Sequence, residues 1–102
     1  QNLIMLSYIR KIFTLSGTIT DSQTGEALIG STVLVEGTTT GTTTNAYGFY
    51  SLTLPEGVYP LVFRFVGYDA HVQELTLKSN TELSVSLKQQ LAKLPELTIE
   101  SI

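Results

Sequence analysis

Apolar and polar residues alternate with a period of two through several short runs of this chain. Phe13, Leu15, Gly17 and Ile19 alternate with Thr14, Ser16, Thr18 and Thr20, the pattern of a half-buried strand. Val33 and Val35 share one face of a second run that ends at Gly37. Threonines at 38–40 and 42–44 flank Gly41; β-branched and polar, they suit a solvated strand or hairpin. Tyr50, Leu52 and Leu54 alternate with Ser51 and Thr53. Tyr59, Leu61, Phe63 and Phe65 then oppose Pro60, Val62, Arg64 and Val66, which makes this the strongest core strand. Pro60 has no N–H to give a ladder, so it belongs at a strand start or an unpaired edge position. Between Ala70 and Leu77 the pattern is less regular, with Val72 and Leu75 on opposite faces unless a bulge intervenes. Leu83, Val85 and Leu87 form the last run.

The breaks between runs carry turn chemistry. Asp21-Ser22-Gln23-Thr24-Gly25-Glu26 offers an aspartate that caps its own turn and a glycine for positive φ. Asn45-Ala46-Tyr47-Gly48 and Leu54-Pro55-Glu56-Gly57 both read as type I turns. Gly67-Tyr68 and Ser79-Asn80 end the next two runs. Leu83, Leu87, Leu91 and Leu94 also fall at helical spacing. A helix that short is marginal alone, and Ser84, Val85 and Ser86 favour a strand through Lys88. The expectation is an all-β fold, a seven-stranded antiparallel Greek-key β-sandwich. Phe13, Val33, Val35, Leu52, Leu54, Leu61, Phe63 and Phe65 would line the two inner faces, with sheets ~10 Å apart. Residues 1–11 read as a lead-in, 12–88 as the sandwich and 89–102 as a linker tail.

With 102 residues and 42% hydrophobic content, the chain is one domain that buries roughly two-thirds of its unfolded surface. It has no cysteine, which excludes disulfides and thiolate metal sites. A net charge of −3, with no basic cluster beyond Arg10-Lys11, argues against nucleic acid as a partner. The apolar run Leu3-Ile4-Met5-Leu6 is far short of the ~20 residues of a membrane helix. It also precedes its basic residues, the reverse of a secretory signal. No targeting or spanning segment is therefore expected in the chain.

Candidate chemistry is thin. His71 is the one histidine, and Asp69 lies two residues before it on the same side of a strand. Beside a turn and solvated, the pair lacks a nucleophile elbow and reads as surface. One histidine with scattered carboxylates gives no zinc ligand set. Asp21 and Glu26 could supply hard oxygens to calcium, but a turn-capping aspartate and a solvated glutamate are the preferred reading. The glycines open no helix after a strand, so they are not a phosphate loop. Tyr47, Phe49 and Tyr68 could stack on a sugar or a partner loop; if Tyr50 points inward, Phe49 points outward. In the tail, Leu97-Thr98-Ile99 is strand-capable and could add to a partner's sheet edge, against the plainer readings of a frayed end or linker.

Ser16-Gly17-Thr18-Ile19-Thr20-Asp21, Gly25 to Gly30, Thr32 to Thr38, Gly41 to Thr44, Gly48 to Leu52 and Val62 to Tyr68, taken in order and spacing, carry a resemblance. From Phe13 to about Leu87 the chain resembles the carboxypeptidase regulatory-like (transthyretin/prealbumin-like) N-terminal domain of TonB-dependent, SusC-like outer-membrane receptors. The resemblance implies a prealbumin-like sandwich without catalytic activity, cofactor or metal, on the periplasmic side of the cell outer membrane. It implies as partners the plug and barrel of the same receptor, with membrane association only through the full-length protein. It also places Leu97, Thr98 and Ile99 where the energy-transducing TonB protein engages such receptors, in a form less valine-rich than usual. The alternatives are a surface or adhesion module, with Lys11 and Asn80 as isopeptide partners, and a carbohydrate binder using Phe49 and Tyr47.

Overall fold

A computed structural model describes residues 10–91, and among these every regular element is a strand. The strands are β1 (Ile12–Asp21), β2 (Thr32–Val35), β3 (Gly41–Thr43), β4 (Phe49–Pro55), β5 (Gly57–Arg64), β6 (His71–Leu77), β7 (Thr81–Glu82) and β8 (Val85–Leu87). They form two sheets. The first places β1 between β4 and the β7–β8 pair; the second runs β3-β2-β5-β6. The fold is the expected all-β sandwich, and β7 and β8 together serve as one interrupted strand.

Most ladders are antiparallel. The exception is the last strand, since both β7 and β8 lie parallel to β1. Its interruption has a physical cause. At Leu83 and Ser84 the chain steps off the ladder, and Gly17 lies directly against it: a Cβ on Gly17 would collide with the Leu83 carbonyl oxygen. Only glycine admits so close a backbone approach. Backbone groups freed by the step are still satisfied. Leu83 N–H donates to the Ser16 carbonyl at 2.7 Å, and the Ser84 hydroxyl accepts from Thr18 N–H at 3.2 Å.

The core is built by alternation. Leu15 and Ile19 from β1, Tyr50, Leu52 and Leu54 from β4, Val33 and Val35 from β2, and Leu61 and Phe63 from β5 are all buried. Leu28, Leu77, Val85 and Leu87 complete it. Phe13 and Phe65, expected within, are only partly buried against its margin. Tyr50 and Phe63 meet edge to face with centroids 6.0 Å apart, a favoured aromatic geometry.

Three local expectations need correction. Residues 54–57 do not form a four-residue turn: β4 runs through Pro55, and one bend residue, Glu56, carries the chain from the first sheet to the second. Its N–H is taken by the Lys11 carbonyl at 2.7 Å. Pro60 lies inside β5 rather than at its start. Its carbonyl accepts from Glu36 N–H at 2.7 Å, so its missing N–H faces the β2 side, beyond the last pair Val35↔Leu61. Glu36 and Pro60 therefore exchange one bond where a non-proline residue could make two. His71, expected in solvent, is half-buried and tilted against Phe63 at 5.8 Å, because its register partner across the ladder is Phe63 on the inner face.

Candidate partner-binding site

One end of the sandwich gathers the features that bear on function. The ends of β1, β3, β5 and β8 and the starts of β2, β4 and β6 all lie there by register. The chain leaves the described structure from this end. After β8 it is held to the β5–β6 turn: Tyr68 and Gln89 form an antiparallel bridge. Asp69 N–H donates to the Lys88 carbonyl at 2.8 Å, and Gln90 N–H to the Gly67 carbonyl at 2.9 Å.

A side-chain strut ties the two sheets at the same place. Asp21 Oδ1 accepts from the Gln23 and Thr24 amides at 2.7 and 2.9 Å, the self-capped turn expected from sequence. Oδ2 accepts from the Tyr68 hydroxyl at 2.6 Å. The Tyr68 hydrogen bond, followed by the two amides, holds Asp21 below its ordinary 3.8; the same bond raises Tyr68 above its ordinary value. Both oxygens are thus engaged by protein donors. Among the described residues no group of three His, Cys, Asp or Glu is placed to hold a metal ion.

Phe49, the first residue of β4, points outward as its parity with Tyr50 requires and is 41% exposed. Tyr47, in the preceding turn, is 82% exposed. That turn is fixed by Asn45, whose Oδ1 accepts from the Tyr47 and Phe49 amides at 2.8 and 3.1 Å. Gly48 closes it at φ +76, with Ala27 Cβ only 2.8 Å from where its own Cβ would be. Ile29, Val66 and Leu91 are exposed at this end too, so open apolar surface concentrates around the chain exit. Leu97, Thr98 and Ile99 lie outside the described residues. Sequence reasoning counted Tyr68 among stacking aromatics and missed its bond to Asp21, 47 residues away, for which no local signal exists. His71 Nε2 lies 2.8 Å from Gln73 Oε1, its neighbour on the same face. Asn80, weighed as an isopeptide partner of Lys11, uses its Oδ1 to accept from Thr14 N–H at 2.9 Å.

A family model described as CarboxypepD_reg-like domain matches residues 15–99. The chain belongs to this family. Its sequence is 33% identical over 84 residues to TonB-dependent receptor P3 of Formosa agariphila, covering 82% of this chain and 8% of that receptor. It is 37% identical over 86 residues to TonB-dependent receptor SusC of Bacteroides thetaiotaomicron, covering 84% of this chain and 8% of SusC. The chain thus spans about a twelfth of the length of these curated relatives. Among solved structures, the CarboxypepD_reg-like fold is similar to a chain of a type II Cohesin-X-Dockerin complex from Acetivibrio cellulolyticus. The TM-score there is 0.58 at 26% identity, over 72% of this chain and 52% of that one.

Proposed function

We propose that this CarboxypepD_reg-like domain is a non-catalytic accessory domain at the N-terminal, periplasmic side of a TonB-dependent, SusC-like outer-membrane receptor. In this reading residues 12–88 are the folded module, residues 1–11 lead into it, and residues 89–102 connect it to a plug. Leu97, Thr98 and Ile99 offer a strand to the energy-transducing partner, and Phe49 marks a contact surface on the module. The observation that carries the reading is identity of 33% and 37% to two receptors over more than four-fifths of this chain but 8% of theirs. That proportion fits a small module within a large transporter. Strand addition would draw affinity from backbone hydrogen bonds and selectivity from alternate side chains.

The test is made in a receptor carrying this module. Thr98→Pro, which removes one backbone donor from the strand, should abolish energised uptake while the receptor's outer-membrane level and ligand binding are retained. Thr98→Cys should crosslink to the periplasmic domain of TonB bearing a cysteine on its exposed strand. Full uptake by the proline variant would overturn the coupling role. Exposed Tyr47 and Phe49 favour a second reading, stacking on carbohydrate; tyrosine fluorescence unmoved by millimolar oligosaccharide would dismiss it.

A further inference from the structure

The sheet edges of this sandwich are not equally protected. An edge strand offers unpaired N–H and C=O groups to any strand that fits them. β3 is three residues long, and the last strand of the first sheet is broken at Leu83 and Ser84. β4 is longer, but its outward groups are partly taken. Ile19 N–H donates to the Gly48 carbonyl, so the even-numbered residues of β4 bond to β1 and the odd-numbered ones face away. Of these, Phe49 gives its N–H to Asn45 Oδ1 and accepts from Asn45 N–H, while Pro55 has no N–H to offer.

β6 carries no such guard. The bond from Glu36 N–H to the Pro60 carbonyl sets the phase of β5: even-numbered residues bond toward β2, odd-numbered ones toward β6. Tyr59, Leu61 and Phe63 therefore bond to Leu75, Gln73 and His71. Val72, Glu74 and Thr76 are left with N–H and C=O groups directed away from the sheet. Among the described residues β6 pairs with β5 alone, and its seven residues include no proline, glycine or bulge. Glu74 is exposed on the outer face opposite Pro60, so β5 supplies it no counter-charge.

The complement lies in the same strand. Two copies of β6 meeting antiparallel about a two-fold axis keep both the hydrogen-bond phase and the inner and outer faces. Centring the axis on Glu74 sets two glutamates directly opposite, which is destabilising. Centring it on Leu75 places Glu74 opposite Thr76 and Lys78 opposite Val72, so neither charge is paired. Centring it on Thr76 sets Glu74 of each copy opposite Lys78 of the other and Thr76 opposite Thr76, both stabilising cross-strand pairs. Leu75, only partly buried at the core margin, then meets Leu77 of the second copy. Val58, exposed beside Thr76 on β5, flanks the central pair from each side.

We propose that β6 is a self-association edge, at which two copies of this chain pair antiparallel about Thr76 and join their second sheets into one, four strands from each. A contact confined to one strand edge is small, so the association belongs to the weak, concentration-dependent class. It does not depend on the functional reading above.

Sedimentation equilibrium of the full-length chain, carried to ~1 mM, should show a monomer–dimer equilibrium. Amide exchange at Glu74, Thr76 and Lys78 should slow as concentration rises, while that of Gln73 and Leu75, already bonded to β5, stays constant. Thr76→Pro removes one outward N–H and no bond to β5, so it should abolish the dimer with Gln73 and Leu75 still protected. Glu74→Lys and Lys78→Glu should each abolish it too, and the two together should restore it. Should Thr76→Pro lose the protection of Gln73 and Leu75, the charge reversals decide alone. A chain that stays monomeric throughout would overturn the proposal. So would a dimer that survives the single charge reversals, or one that survives a folded Thr76→Pro. Either result leaves the uptake test above unaffected.

Discussion

Two tyrosine hydroxyls brace this sandwich, each 2.6 Å from its acceptor, and they do different work. Tyr50 stands on β4 opposite Gly17 and donates to the Leu83 carbonyl on the other side of β1, so its ring spans the gap where Gly17 has no side chain. Tyr68 donates from the β5–β6 turn to the Asp21 carboxylate and links the two sheets at the chain exit. Burial pushes the Tyr50 phenol from 10.0 up to about 12. For Tyr68 the foremost cause of the rise is the Asp21 hydrogen bond. The interior strut is neutral and set by packing; the rim strut is tied to a charge and therefore to pH.

The interior strut depends on its walls. Phe63 packs edge-on against the Tyr50 ring and is fully buried. Phe63→Ala should cost roughly 3–5 kcal/mol, the transfer loss plus a cavity, read as a large fall in the urea midpoint. A midpoint close to wild type would mean that Tyr50 is held without it. Gly17→Ala attacks the same strut from below. Its methyl must displace the Leu83 backbone, for an expected loss of about 2–3 kcal/mol, with Leu83 and Ser84 amide shifts moving most. Unchanged stability would show that the step between β7 and β8 is free to relax.

Much of this was legible from the residues. Period-two alternation locates β1, β4 and β5, and Asp21 and Asn45 announce the turns they cap. The relation between distant segments was not legible. Gly17 reads as one more alternating position because its partner, Leu83, comes 66 residues later and leaves no mark on the local pattern. For the same reason, nothing in Leu83 to Leu87 tells that this strand runs parallel to β1. Pro55 and Gly57 suggested a type I turn; which sheet each flanking strand joins is settled by packing. Val62 was assigned to the outward side correctly, but its burial there depends on Leu34 and Val72, which only register brings together. At the candidate site, the outward Phe49 followed from parity alone, whereas the Tyr68–Asp21 strut needed the fold.

The finest distinction between the struts lies in their pH dependence. Asp21 titrates below its ordinary value in the folded state, so its contribution is complete above the unfolded carboxylate range and is lost as pH falls through the depressed folded value. Tyr68→Phe removes the foremost cause of that depression. Its stability deficit relative to wild type should therefore be full at neutral pH and shrink in acid, as Asp21 protonates in both proteins. Tyr50→Phe strands the Leu83 carbonyl and should cost about 1–2 kcal/mol, more than Tyr68→Phe at neutral pH. No carboxylate is involved, so that deficit should be flat through the acid range. On the alkaline side the sign follows from a raised pKa: the Tyr50 contribution is intact below 10 and is lost as pH climbs toward about 12. Urea unfolding of the three proteins at neutral pH and near pH ~3 separates the cases. If the Tyr68→Phe deficit were identical at both, or the Tyr50→Phe deficit shrank in acid, the two struts would not differ in the way their surroundings require.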